Sequence, residues 1–249
     1  MEKSITCIGI DGCQSGWVIA YREDPKEWKF EIFPTIQELW NKFSYTKLIM
    51  IDIPIGLKDN GSEPRLCDKA ARKFLTRNRS SSIFPTPCRA SLYADTYIEA
   101  NQINRKMTGN GLSKQTWNIT GKIREVDILL RNDPKASKVF IESHPELCFA
   151  ALSNNTPMKH YKKKEDGIKE RLLVIDSFYK NPKQILNEAI FQLSKEKVLV
   201  DDILDAWILA ISGFKGLSNL RFLPDKYEYD SEGLPMRMAI PNFGKLDRV

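Results

Sequence analysis

The chain has 249 residues, 42 % of them hydrophobic and 28 % charged, and 38 basic against 32 acidic side chains leave a net charge of +6. Two histidines and five scattered cysteines without a Cys-x-x-Cys pair argue against a zinc site of the usual thiolate or imidazole kind. No apolar run reaches the roughly 18–20 residues that span a membrane, no secretory leader precedes the first strand-like run, and reduced thiols fit a cytoplasmic protein. The modest basic excess has the right sign for an anionic partner.

Residues 4–10 are β-branched and apolar, which predicts a buried central strand, with Gly12 and Gly16 punctuating the turn after it. Residues 17–21 read as a second strand and residues 28–33 alternate as a half-buried antiparallel strand does, with a hairpin turn expected around Pro25. Thr35 is placed to cap a helix running to about Phe43, in which Ile36, Leu39, Trp40 and Phe43 share a face. Residues 47–53 form the fourth strand.

Residues 60–135 change character, being rich in Arg, Ser, Asn and Gly. They are read as a helical and looped insertion that covers the sheet, within one domain spanning residues 1–249. Helices are predicted over 91–103 and 120–131, and residues 80–89 form an ordered loop because Pro85 and Pro87 forbid a regular helix. Residues 138–142 predict a fifth strand, and Pro145 suits the first turn of a helix through about Leu152. A polar, lysine-rich loop follows over 154–167, then helices over 168–179, 182–194 and 201–214, and an irregular tail from Pro224. The whole reads as an α/β chain built on a mixed five-stranded sheet.

The chemistry concentrates in aspartates set beside strongly apolar sequence. Asp11 ends the first strand, where α/β sheets usually build their sites, although Asp-Gly is also a common turn pair. Asp52 lies within Leu48-Ile-Met-Ile-Asp-Ile-Pro-Ile, and a buried carboxylate there needs a metal, an arginine or backbone donors. Asp202 and Asp205 are three apart and share a helix face, and the helix beyond Asp205 is almost wholly apolar. Asp201 reads as a helix N-cap and Asp202 alternatively as a first-turn acid favoured by the helix dipole. Glu142 closes the fifth strand as a site residue or a turn acid, and Glu146 reads as a dipole-favoured acid. From Glu63 to Arg89 seven basic residues face only two acids. They read either as a phosphate-gripping surface or as a solvated helix face.

These residues resemble known families. Gly9-Ile-Asp11-Gly-Cys-Gln-Ser-Gly16 looks like the opening of the RNase H-like fold in Holliday-junction resolvases, and Asp202-Ile-Leu-Asp205-Ala resembles their last-helix motif. More closely, the chain resembles the domain of unknown function 429 family, described as predicted nucleases of RNase H-like fold. The matching motifs are Ile51-Asp52-Ile-Pro-Ile-Gly-Leu57, Arg65-Leu-Cys-Asp68-Lys-Ala-Ala-Arg72, Arg79-Ser-Ser-Ser-Ile-Phe84 with Pro87 and Arg89, Glu142-Ser-His-Pro-Glu146 and Asp201-Asp-Ile-Leu-Asp-Ala206.

The resemblance implies an RNase H-like sheet and a nuclease or phosphodiesterase. In it Asp11, Asp52, Asp202 and Asp205 would hold two Mg2+ or Mn2+ ions. Arg65, Arg72, Arg79, Ser81 and Arg89 would grip the phosphates of a nucleic acid or related substrate, and Glu142 would be a peripheral ligand or substrate contact. Asp52 departs from the resolvase pattern, which usually has glutamate at that place. Resolvases also imply a homodimer. Two other readings share the same features. One is an actin-like phosphotransferase, which normally needs two such domains and a Gly-Thr phosphate loop. The other is a non-enzymatic binder of nucleic acid or another anion, with a vestigial acidic site.

Overall fold

The structure, a computed structural model, describes residues 6–23 and 27–242, so the turn expected around Pro25 and the first residues of the expected first strand lie outside the described residues. Three early strands, β1 (Cys7–Cys13), β2 (Gly16–Tyr21) and β3 (Lys29–Phe33), form an antiparallel meander. On the other side of β1, β4 (Leu48–Ile51) and β5 (Phe140–Glu142) add in parallel, so the sheet order is β3-β2-β1-β4-β5. The fold is thus α/β with a mixed five-stranded sheet.

Strand alternation sorts the core into two layers. On one face Ile8, Ile10, Ile49 and Ile51 pack against α1 (Ile36–Phe43) and α4 (Lys114–Asn132), through Leu39, Trp40, Ile123 and Val126 among others. Thr35 caps α1, its side chain accepting from the Glu38 amide. On the other face Cys7, Val18, Ala20 and Met50 pack against α9 (Val200–Gly216) and α6 (Pro145–Leu152). Trp207, Ile208, Leu209 and Ile211 of α9 are fully buried, and each such side chain is worth about 1.5–3 kcal/mol over an exposed one. Two glycines allow this close seating. A Cβ at Gly9 would lie 2.1 Å from the Ala206 carbonyl oxygen, and one at Gly213 would lie 2.1 Å from the Cys7 sulfur.

Between β4 and β5 run α2 (Leu66–Arg79), α3 (Tyr97–Thr108), α4 and α5 (Pro134–Val139). Helix α5 shortens the strand expected over 138–142. Asp133 accepts from the Lys135 and Ala136 amides and Pro134 opens the helix, so local capping takes Lys138 and Val139 out of the strand. After α6 come α7 (Glu165–Asp176) and α8 (Pro182–Gln192).

The tail expected to be irregular is instead a ribbon, β6 (Leu220–Tyr229) paired antiparallel with β7 (Pro235–Pro241). Its prolines fall where no ladder donor is needed. Pro224 lies in the register shift between Leu223 and Glu228, and Pro235 and Pro241 bound β7. The ribbon packs Leu223, Met236, Met238 and Ile240 against Cys67, Leu75 and Leu147 of α2 and α6. Among the described residues no helix is long and apolar enough to cross a membrane.

Candidate metal centre

Asp11 and Asp52 stand side by side. The Asp52 amide donates to the Ile10 carbonyl at 3.1 Å and so carries the β1–β4 ladder one residue past β4. Both residues fall on the alternation that faces α9. Because Gly9 lies against the α9 backbone at Ala206 and Ala210, the preceding turn of that helix, with Asp205, closes over the two strand ends. Three carboxylates from β1, the β4 extension and α9 therefore converge at the carboxyl edge of the sheet.

The electrostatics register this convergence. Burial, then the charges of Asp52 and Asp205, push the Asp11 carboxyl well above the usual range, with Lys162 opposing and Asp202 adding least. Burial pushes Asp205 up to about 6 against the pull of Lys162, and Asp52 and Glu146 add to the rise. Asp11 Oδ1 accepts from the Gly12 amide at 2.7 Å. Asp205 Oδ2 accepts from Lys162 Nζ at 2.5 Å, while Asp205 Oδ1 is buried without a hydrogen-bond partner. Asp202 spends one oxygen on the helix start, Oδ2 accepting from the Leu199 amide at 3.0 Å. Asp201 is 3.6 Å from Lys162 and 3.9 Å from Lys163.

Beside Asp11 and Asp52 opens a cavity of about 170 Å³, far above the roughly 10–15 Å³ that one water needs. Residues 82–87 of the insertion roof it, and Thr116, Ile119, Lys122 and Ile123 of α4 wall it. The Lys122 ammonium lies 4.6 Å from the Trp17 ring centroid and donates to the Gly16 carbonyl at 2.6 Å. Lys122 was readable in principle, since helical spacing sets it on the face of Thr116, Ile119 and Ile123. Lys162, within a polar run of lysines, carries no such signal.

The arginines expected to grip phosphate are committed elsewhere. Arg65 is 1 % exposed. Its guanidinium donates to Asp68, to both Glu142 oxygens at 2.7 and 2.9 Å, and to the Ile55 and Gly56 carbonyls. Glu142, expected as a peripheral ligand or a substrate contact, pairs in register with Ile51, accepts from the Ile55 amide at 2.7 Å and lines the same cavity as Asp11, Asp52 and Arg65. Cys67, Asp68 and Glu142 offer ligand atoms within 4.8 Å of one another, but the Arg65 guanidinium already serves as the cation there. Arg72 binds the Ile83 carbonyl and so holds the roof. Arg79 holds the loop after α6 through the Met158 and His160 carbonyls. Arg89 is enclosed by Asp59, Asp127 and Asp230. Ser81 is exposed in a short 3-10 turn, and Ser82 is the serine that lines the cavity. His144 Nδ1 accepts from the Glu146 amide, which leaves Nε2 to donate to the Ser82 carbonyl.

The donor set at Asp11, Asp52 and Asp205 is all carboxylate oxygen, the chemistry that suits Mg2+ or Mn2+. The orphaned Asp205 oxygen and the charges that Asp52 and Asp205 bring to Asp11 fit such an ion, and the three side chains would have to draw closer to share it, since among the described residues only Cys67, Asp68 and Glu142 have ligand atoms within 4.8 Å of one another. A family model described as "Protein of unknown function (DUF429)" matches residues 9–228, and the chain belongs to that family. No curated protein and no solved structure matches it.

Proposed function

We propose that the chain hydrolyses phosphoester bonds, in nucleic acid or a related substrate, with Mg2+ or Mn2+ held by Asp11, Asp52 and Asp205. The observation that carries this reading is the meeting of two buried carboxylates, Asp11 and Asp205, with the half-buried Asp52 from a third element, one Asp205 oxygen having no partner. The sheet order β3-β2-β1-β4-β5, with acids on β1, after β4 and on the last long helix, supports an RNase H-like arrangement. When bound, the ion would lower the pKa of an attacking water and offset charge on the phosphate.

The protein's own groups supply the rest. Asp11 and Asp52 orient the ion from rigid strand ends. Lys122 lines the cavity beside them and, with one N–H on the Gly16 carbonyl, keeps further donors for phosphate oxygens. The partly exposed Phe84 gives the roof an apolar surface against which a base or sugar can rest. Asp202 acts through its cap at the start of α9.

The test is Mn2+-dependent cleavage of bis(p-nitrophenyl) phosphate and of single-stranded oligonucleotides. Excess chelator should abolish cleavage, and Asp52→Asn should remove it under saturating metal. Chelator-resistant cleavage, or a fully active Asp52→Asn protein, overturns the reading.

A further inference from the structure

Resting on the phosphoesterase reading above, we propose that Lys162 holds the place of a second cation, so that the site takes one divalent ion and not two. The ammonium lies 2.5 Å from Asp205 Oδ2 and 3.6 Å from Asp201 Oδ2. The ammonium is half-buried, its side chain 31 % exposed, and both of its ion-pair partners, Asp201 and Asp205, are buried. A lysine from a distant loop is thus one of the charges that define the acidic site.

The loop that delivers it is fastened on both sides. Before Lys162, Arg79 binds the Met158 and His160 carbonyls, and Arg171 also reaches the His160 carbonyl. Glu170 accepts from the Lys159 and His160 amides at 2.8 and 2.9 Å. Arg171 is in turn paired with Glu146. After Lys162, α7 packs so closely that a Cβ at Gly167 would lie 2.0 Å from the Tyr161 carbonyl oxygen. The backbone on both sides of Lys162 is thus held in place, which fixes where its ammonium can reach.

The oxygens of Asp205 point to a single ion. Asp205 has Oδ2 on Lys162, and Oδ1 is buried without a partner. An ion held by that oxygen with Asp11 and Asp52 completes the set. With Lys162 spent on Asp201 and on Asp205 Oδ2, only Asp205 Oδ1 is left to meet a cation beside Asp11 and Asp52. In this arrangement Lys162 is a positioning residue: it fixes Asp205 and supplies charge without touching the ion.

The test is Mn2+ stoichiometry by titration calorimetry, with electron paramagnetic resonance to detect paired ions, on the wild-type protein, Lys162→Met and Lys162→Arg. One uncoupled Mn2+ per chain is expected for the wild type and for Lys162→Arg. Lys162→Met should take two ions and show a larger Mn2+-induced rise in melting temperature than the wild type. Two ions in the wild type, or one in Lys162→Met, overturn the proposal while leaving the phosphoesterase reading standing. No Mn2+ binding by any of the three overturns both. If Lys162→Met is recovered only with Mn2+ present, two ions in the recovered protein support the proposal and one overturns it.

Discussion

Two buried acidic clusters lie near one end of the same sheet, and they are built in opposite ways. Around Arg65, Glu142 and Asp68 meet a guanidinium whose donors are all used, on the backbone as well as on the acids. Around Lys162, Asp11, Asp52 and Asp205 outnumber the one ammonium that reaches them, and an Asp205 oxygen is left over. The first cluster is closed and holds the insertion to the sheet. The second is under-neutralised, although Asp11 and Asp52 line the same cavity as Arg65, Asp68 and Glu142. A buried charge whose partners fall short is a candidate functional site, and one whose partners suffice reads as structural.

The strongest way to break this contrast is Arg65→Met. Removing the guanidinium strands two buried carboxylates and should cost about 3–5 kcal/mol in urea unfolding. A loss below about 1 kcal/mol would make the two clusters alike. Next is Asp52→Asn, which should lower turnover about 100–1000-fold, the scale of losing one preorganised charge-stabilising group. Metal-free stability should hold or rise, because a repelling charge is gone; a stability loss matching that of Arg65→Met would erase the distinction. Gly9→Ala comes third. The added methyl must displace the α9 backbone, so it should cost about 1–3 kcal/mol and weaken Mn2+ affinity, both measurable in one titration and melting series.

The smallest effect is on pH. The folded Asp205 keeps its proton up to about 6 against an ordinary 3.8, so between those values the folded state binds more protons than the unfolded one. Metal-free stability should therefore fall as pH rises through that window, with a slope below about 1.4 kcal/mol per unit. Asp205→Asn should remove that component, and an unchanged pH profile would count against the assignment.

Much of this was legible in the chain. Asp11, Asp52 and Asp205 stand out because carboxylates inside apolar runs demand partners, and the early strands and α1 follow from alternation and a Thr cap. The arginines misled because their partners are remote: Glu142 lies 77 positions from Arg65 and Asp230 lies 141 from Arg89. A basic run whose acids lie elsewhere in sequence looks solvent-facing until the fold brings them together. Lys162 was hidden for the same reason, with Asp205 43 positions away. The ribbon after α9 was obscured by prolines that sit at a register shift and at strand ends.

The grip of Arg89 on Asp127 and Asp230 also sets an order of assembly. It brings Asp127 of α4 and Asp230 in the turn of the β6–β7 ribbon, 141 residues from Arg89, onto one guanidinium, a closure whose chain-entropy cost falls due only when the sheet and insertion are already in place. The ribbon is therefore a late-docking latch, expected to exchange its amide hydrogens before β1 and α9 do.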